Sequence, residues 1–310
     1  MRRRTFLGGC VISVVGFAGC GSQQPEAVIR YVPRSPVLRS GADATPVPPP
    51  ELLVSSDIVR QAGTVLISVV GAVRGGSISY LGRVYPLTQG SQSMYAFVGI
   101  HAEDPPGEHI AKVEFVQSTG SQGAVTVPLT VLKTEWTIDE VTIPARLQQL
   151  LNPGVSDREE AFLADVYATI TPAKLWSGPW RLPVEGVVTT RFGERRSYNK
   201  APATGHHSGT DLGAPEGVAV SVANRGTVAM ARQLQLRGNM VVLDHGGGLF
   251  SGYAHMASFS VAEGQLVEPG EAVGFVGNTG LSTGAHLHWE MSAGGVLVDG
   301  LRFLDGSNGF

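Results

Sequence analysis

The chain has 310 residues, 23 of them Lys or Arg and 26 Asp or Glu, for a formal charge of −3. No basic footprint for nucleic acid follows from that balance. Its two cysteines, Cys10 and Cys20, both lie near the N-terminus, so the remainder holds neither a disulfide nor a thiolate metal site. The length invites two domains, and 41 glycines, 19 prolines and recurrent Val/Ile/Thr runs predict a mainly β protein.

Arg2-Arg3-Arg4 followed by an apolar stretch over 6–18 is a signal-peptide pattern, too short to cross a bilayer comfortably. Arg3-Arg4-Thr5-Phe6-Leu7 resembles the twin-arginine export signal, with a basic n-region for general secretion as the other reading. Phe17-Ala18-Gly19-Cys20 resembles the lipobox of bacterial lipoproteins, with Phe17 where Leu is usual. That resemblance implies a leader over 1–19 and a lipid on Cys20 holding an exported chain to a cell-envelope membrane, on its periplasmic face or at an outer membrane. Simple cleavage to a soluble exported protein is the alternative. Loss of the leader removes three Arg and no acid, which moves the charge from −3 to −6. Residues 20–53 carry Pro25, Pro33, Pro36, Pro46 and Pro48-Pro49-Pro50 with little apolar periodicity, and read as an extended tether. At roughly 3 Å per residue it would reach on the order of 90 Å when taut.

From 54 to 143, short strands over 64–70, 77–80, 94–100, 110–116 and 124–132 alternate with breaks at Gly75-Gly76, Pro105-Pro106-Gly107 and Gly120-Ser121. This is the pattern of a small antiparallel, immunoglobulin-like sandwich. His101 and His109 have no partners at ligand spacing there and read as structural. The stretch 144–172 reads as a helical connector. Ser156-Asp157-Arg158-Glu159 has capping-box spacing before a helix in which Phe162, Val166 and Ile170 share a face with Leu163 and Tyr167, and a shorter helix over 146–151 precedes Pro153-Gly154.

Residues 173–310 return to short strands, at 187–190, 218–223, 226–230, 240–245, 249–255 and 271–276, giving an antiparallel β domain. Six of the eight histidines fall between His206 and His288. In Ala285-His286-Leu287-His288-Trp289-Glu290-Met291 strict alternation puts His286, His288 and Glu290 on one strand face, with positions two apart about 6–7 Å from each other. His207 and Asp211 are four apart, about 13 Å in a straight strand, so sharing one ion requires a bend, which Gly209 allows. Two imidazoles and a carboxylate with a fourth position open make the composition of a catalytic zinc site. Strand geometry alone does not choose between His286 and His288 as ligand.

His207-x-x-x-Asp211, Tyr253-Ala254-His255 and His286-Leu287-His288 together resemble the LytM/lysostaphin-type zinc peptidases, the M23 family of cell-wall endopeptidases. Arg191-Phe192-Gly193, Asp211-Leu212-Gly213-Ala214-Pro215 and the glycine-rich 277–284 extend the match over about residues 176–305. The resemblance implies one Zn²⁺ held by His207, Asp211 and His288, with His255 and His286 as unliganded catalytic histidines acting on the attacking water and the reacting carbonyl. It implies peptidoglycan as the partner and hydrolysis of its peptide bonds as the activity. Degenerate relatives that activate amidases make a non-hydrolytic peptidoglycan-binding or regulatory module, with a protein partner, the other reading.

Among the neighbours, His206 faces away from a ligand position and His245 reads as part of a turn. Glu290 reads either as an orienter of His288 or as a solvated strand end. Tyr253 lies two before His255, which predicts a shared face and a hydroxyl near substrate. Asn278 and Thr283 read as turn residues.

Overall fold

The computed structural model describes residues 48–203 and 205–306 in full, together with the backbone of 11–14 and 29–32. The Arg2-Arg3-Arg4 run, Cys20 and most of the expected tether lie outside these residues. Two short pieces of that N-terminal region do form strands. Val11–Val14 pairs antiparallel with Ile29–Val32, which in turn pairs with Glu51–Val54. The tether is therefore interrupted by a β-branched and aromatic stretch that adds to a sheet, as its side-chain types favour. The sandwich core likewise starts before residue 54, since Leu52 and Val54 are fully buried.

Two sheets form the first domain. One runs, in spatial order, Val11–Val14, Ile29–Val32, Glu51–Val54, Thr64–Val70, Ser93–Gly99 and Thr88–Gln89; the other runs Ile58–Arg60, Gln122–Leu132, Gly107–Gln117, Val73–Tyr80 and Arg83–Pro86. Inward-facing Ile67, Val69, Ile78, Phe97, Val113 and Leu129 fill the space between them, the alternation that one buried face imposes. The pairing is not wholly antiparallel, because Ile58–Arg60 lies parallel to Gln122–Leu132. Gly75-Gly76, expected to break the chain, instead sits inside the strand Val73–Tyr80. A Cβ at Gly76 would collide with the Glu114 carbonyl oxygen, so close approach of the neighbouring strand explains this glycine.

The connector holds a 3-10 helix, Ala145–Leu151, and an α-helix, Pro153–Tyr167. The cap is Asn152, whose Oδ1 accepts from the Gly154 N–H, with Pro153 at the first helical position. Ser156 and Glu159 are thus one turn inside the helix, and Ile170 lies beyond its end. Ahead of the helices, Ile138–Val141 pairs parallel with Arg195–Tyr198 of the next domain.

The second domain is built on an eight-stranded antiparallel sheet with the spatial order Val187–Thr190, Thr210–Gly213, His286–Ala293, Leu249–Met256, Asn239–Gly246, Gly226–Gln233 and Leu266–Val267, and with Val296–Val298 paired to His286–Ala293. A smaller sheet of Ala219–Ser221, Ala272–Phe275 and Ser258–Phe259 stands beside it. The strands Thr210–Gly213 and His286–Ala293 are neighbours near one side of the large sheet, and Asp211 stands directly opposite His288. A single hydrophobic cluster runs from the sandwich into this sheet, taking in Phe97, Val98, Leu249, Ala293 and Val296.

Candidate metal centre

His288 comes from the middle of the large sheet, Asp211 from the strand beside it, and His207 from the segment just before that strand. The Asp211↔His288 register brings the carboxylate and one imidazole together, with His288 Nδ1 2.8 Å from Asp211 Oδ1. His207 Nε2 then lies 2.9 Å from His288 Nδ1 and 3.0 Å from Asp211 Oδ1. The three donor atoms make a compact triangle, and all three residues are buried. The bend that closes it falls at 208–209, as expected, but Gly209 is needed for space rather than for an unusual φ. A Cβ there would stand 2.5 Å from the Trp289 carbonyl oxygen and 2.9 Å from the His288 ring.

Whether this triangle fits a cation follows from where the protons sit. His207 Nδ1 is 3.0 Å from the Arg191 carbonyl oxygen and must donate to it, which leaves Nε2 as a lone pair. His288 Nε2 is 3.0 Å from Glu290 Oε1 and donates there, which leaves Nδ1 as a lone pair. With Asp211 Oδ1, three acceptors converge at contact distance with no hydrogen between them. A positive ion is the species that satisfies such a set. In the metal-free chain burial pushes the His207 imidazole down to about 4. Burial pushes Asp211 the other way, but the His207 and His288 rings set against it outweigh burial and hold the carboxyl far below the usual range. The triangle's edges, 2.8 to 3.0 Å, are a little shorter than the roughly 3.3 Å expected around a tetrahedral ion with bonds of about 2.0–2.1 Å, a difference that small ring rotations absorb.

His255 and His286 complete the group. Their ring centroids are 4.9 Å apart, and His255 is 5.6 Å from His288. Each has its Nδ1 2.8 Å from a backbone carbonyl, that of Thr279 for His255 and that of Gly284 for His286. Each Nε2 is therefore an unprotonated acceptor, and that of His286 lies 3.6 Å from Asp211 Oδ1. Burial lowers both imidazoles below their ordinary value, His255 the further. His255 has φ +61° in an otherwise extended strand. Such a conformation is costly for a side chain with a Cβ and is held here by the bond from its N–H to the Arg237 carbonyl.

That irregularity corrects the expectation for Tyr253. The break in alternation sends Tyr253 into the core, where its hydroxyl accepts from the Ala223 N–H and the Ser251 hydroxyl. It does not face the cleft. Glu290 is fully buried and is no solvated strand end; its Oε1 receives His288 Nε2, Ser208 Oγ at 3.0 Å and Arg237 Nε at 3.0 Å, and its Oε2 receives Tyr167 Oη at 2.9 Å. His245 is structural, between the Arg225 carbonyl and Ser251 Oγ. His206 points away from the triangle and meets His101 of the sandwich edge-on, 5.2 Å between centroids. Residues without a local signal also enter the site. Arg196 Nη2 lies 3.0 Å from Asp211 Oδ2, and Thr279 both supports His255 and receives the Asn239 N–H on its Oγ1.

Above the triangle opens a cleft of about 1070 Å³. One wall is the sandwich, through Arg83, His101 and Glu103, and another is the connector, through Asp139 and Glu160. The glycine-rich loop with Thr283 borders it near His286.

A β-sheet carrying a buried His/Asp/His triangle beside two further imidazoles is an arrangement able to hold one metal ion. Residues 205–300 match the model of peptidase family M23. Over 124 residues the chain is 35% identical to peptidoglycan DD-endopeptidase ShyA of Vibrio cholerae, covering 39% of this chain and 29% of that protein. Over 119 residues it is 38% identical to DD-carboxypeptidase/endopeptidase Mpg of Neisseria meningitidis, covering 37% and 27%. Murein hydrolase activator NlpD of Escherichia coli is 33% identical over 126 residues, covering 40% and 31%. The chain thus spans about three-tenths of the length of these relatives. A peptidase M23 crystal structure from Pseudomonas aeruginosa shares the fold, with a TM-score of 0.58, 24% identity, and coverage of 79% of this chain and 94% of that one.

Proposed function

We propose that the protein is a zinc endopeptidase that hydrolyses peptide bonds of peptidoglycan. The observation carrying this reading is the complete set of five: a donor triangle of His207, Asp211 and His288 with the Nε2 atoms of His255 and His286 aimed at the same space. Zinc bound there would polarise the scissile carbonyl and lower the pKa of water. The chain's own groups do the rest. Neutral His255 and His286, each fixed by a carbonyl at Nδ1, present two Nε2 acceptors. One takes the proton of the attacking water and, once protonated, returns it to the leaving amine. Glu290 and the Arg191 carbonyl fix the ligand rings so that no reorientation is needed during the reaction.

Export and a lipid on Cys20 belong to the same proposal, as does a place in the cell envelope. Cleavage before Cys20 would remove the strand Val11–Val14 and leave Ile29–Val32 at the sheet edge, with the core from Leu52 onward intact. The second reading, a non-hydrolytic regulator of another hydrolase, is favoured by the similarity to a murein hydrolase activator. The intact set of five weighs against it.

The test is mass spectrometry of muropeptides released from purified sacculi by the full chain, with chelator and after Zn²⁺ is restored. New peptide ends are expected that vanish with chelator and return with zinc. His286→Ala is expected to lower turnover by about 10²-fold or more while retaining metal, and His288→Ala to lose both. Absence of release by the zinc-loaded protein would favour the regulatory reading, and unchanged turnover in His286→Ala would remove its assigned role.

A further inference from the structure

The M23 segment begins at residue 205, yet the atoms that hold its metal ligands in place reach well upstream of it. Two separate chains of contacts lead out of the donor triangle. The first starts at the outer oxygen of Asp211: Arg196 Nη2 lies 3.0 Å from Oδ2, and Arg196 Nη1 lies 3.1 Å from Asp139 Oδ2 on the strand Ile138–Val141. The second starts at the outer nitrogen of His288, passes to Glu290, and divides. Tyr167 Oη donates to Glu290 Oε2 at 2.9 Å, and Arg237 joins Glu290 Oε1 to Glu159 Oε1 at 3.0 and 3.2 Å. Glu159 also receives the Leu236 and Arg237 N–H groups, which fixes the loop bearing Arg237. Tyr167 and Glu159 are the two polar residues that the helix Pro153–Tyr167 buries.

The charges in these two chains do not cancel among themselves. Four carboxylates, those of Asp139, Glu159, Asp211 and Glu290, face two guanidinium groups, those of Arg196 and Arg237. The excess of two negative charges surrounds three lone-pair donors. That surplus has the sign that a cation at the triangle would offset.

We infer that two elements upstream of the M23 segment complete the metal centre of this chain: Asp139 of the strand Ile138–Val141, through Arg196, holds Asp211, and Tyr167 and Glu159 of the connector helix, through Glu290 and Arg237, hold His288. The inference rests on the metal-site reading above and extends it to positioning residues outside the M23 segment. Its consequence is that metal affinity depends on Asp139, Glu159 and Tyr167, none of which supplies a donor atom to the triangle.

The experiment measures Zn²⁺ affinity of the full chain by competition with a chromophoric chelator, and the visible absorption of the Co²⁺-loaded protein. Tyr167→Phe keeps the ring and removes the hydroxyl; Asp139→Asn keeps the shape and removes the charge. Each is expected to weaken Zn²⁺ binding by about tenfold or more and to alter the Co²⁺ bands. Val166→Ala, on the same helix but packed against the Met230 and Phe250 cluster, is the control. It is expected to lower the melting temperature and leave affinity within about twofold. Unchanged affinity and spectrum in both Tyr167→Phe and Asp139→Asn, with the wild-type protein binding metal, would overturn the inference alone. A wild-type protein that binds neither Zn²⁺ nor Co²⁺ would overturn the metal-site reading, and the inference with it.

Discussion

His245 shows what burial does to an imidazole that has no metal to serve. It is fully enclosed, with Nδ1 on the Arg225 carbonyl at 2.7 Å and Nε2 on Ser251 Oγ at 2.7 Å, and burial pushes it down to about 4. The unfolded chain takes up a proton near pH 6.5, whereas the folded chain resists until about pH 4. Stability contributed by this residue is therefore full above 6.5 and declines as pH falls toward 4, by about 3 kcal/mol in all. His245→Asn is expected to be less stable at pH 7 and to show a flatter loss of stability between pH 6.5 and 4 in urea unfolding. An unchanged slope would mean that other groups carry the acid sensitivity. Four of the five residues gathered at the site were legible because their spacing is local: His207 and Asp211 flank one bend, and His286 and His288 share one strand, whereas His255 comes from the separate strand Leu249–Met256. Tyr253 was misread because its face assignment assumed regular alternation up to His255, whose positive φ breaks it. Arg196, Arg237 and Tyr167 left no signal, since the contacts that recruit them span 15 to 123 positions of sequence.

The helix Pro153–Tyr167 carries two competing N-terminal signals. Ser156 and Glu159 have the spacing of a capping box, while Asn152-Pro153 pairs a preferred cap with a preferred first residue. The second wins, because Pro153 is already suited to the helical φ and Asn152 Oδ1 satisfies the Gly154 N–H at 2.9 Å. Ser156 is left to bond Glu160 at 2.8 Å, and Glu159 is free to turn inward. The two positions should therefore differ sharply in worth. Asn152→Ala removes one exposed cap and is expected to cost about 1 kcal/mol. Glu159→Ala strips two buried backbone N–H groups and one side of Arg237 of their acceptor, and is expected to cost about 3 kcal/mol or more. Urea midpoints of the two variants decide this. Equal costs would mean that Glu159 acts only as a helix residue. Strands were easier to place than this helix, since one buried face writes a period of two directly into the sequence, as in Gly107–Gln117.

Across the whole molecule, the sandwich and the large sheet of the second domain read from sequence as separate units joined by a connector, because composition shifts at the junctions. Their packing tells of something closer. Gly99, ending a sandwich strand, leaves room for no Cβ, with Ala293 O at 2.5 Å, and Gly294 in the facing turn would put a Cβ 2.5 Å from Tyr85 Cδ1 and 2.6 Å from Phe97 O. Tyr85 Oη donates to Gly99 O at 3.1 Å, and Phe97 packs on Trp176 with centroids 6.3 Å apart. Such close backbone approach fuses two cores into one cooperative unit. The four tryptophans, Trp136, Trp176, Trp180 and Trp289, all lie outside the sandwich strands, whereas far-ultraviolet circular dichroism reports both sheets. Heating the intact chain is therefore expected to give coincident fluorescence and dichroism transitions. Gly294→Ala, with φ +58° and no space for its methyl, is expected to lower the midpoint and pull the two signals apart, as the sandwich loses its hold on the large sheet. Separate transitions already present in the wild-type protein would show that each half stands alone, and the cleft between them would then be a hinge rather than a fixed wall.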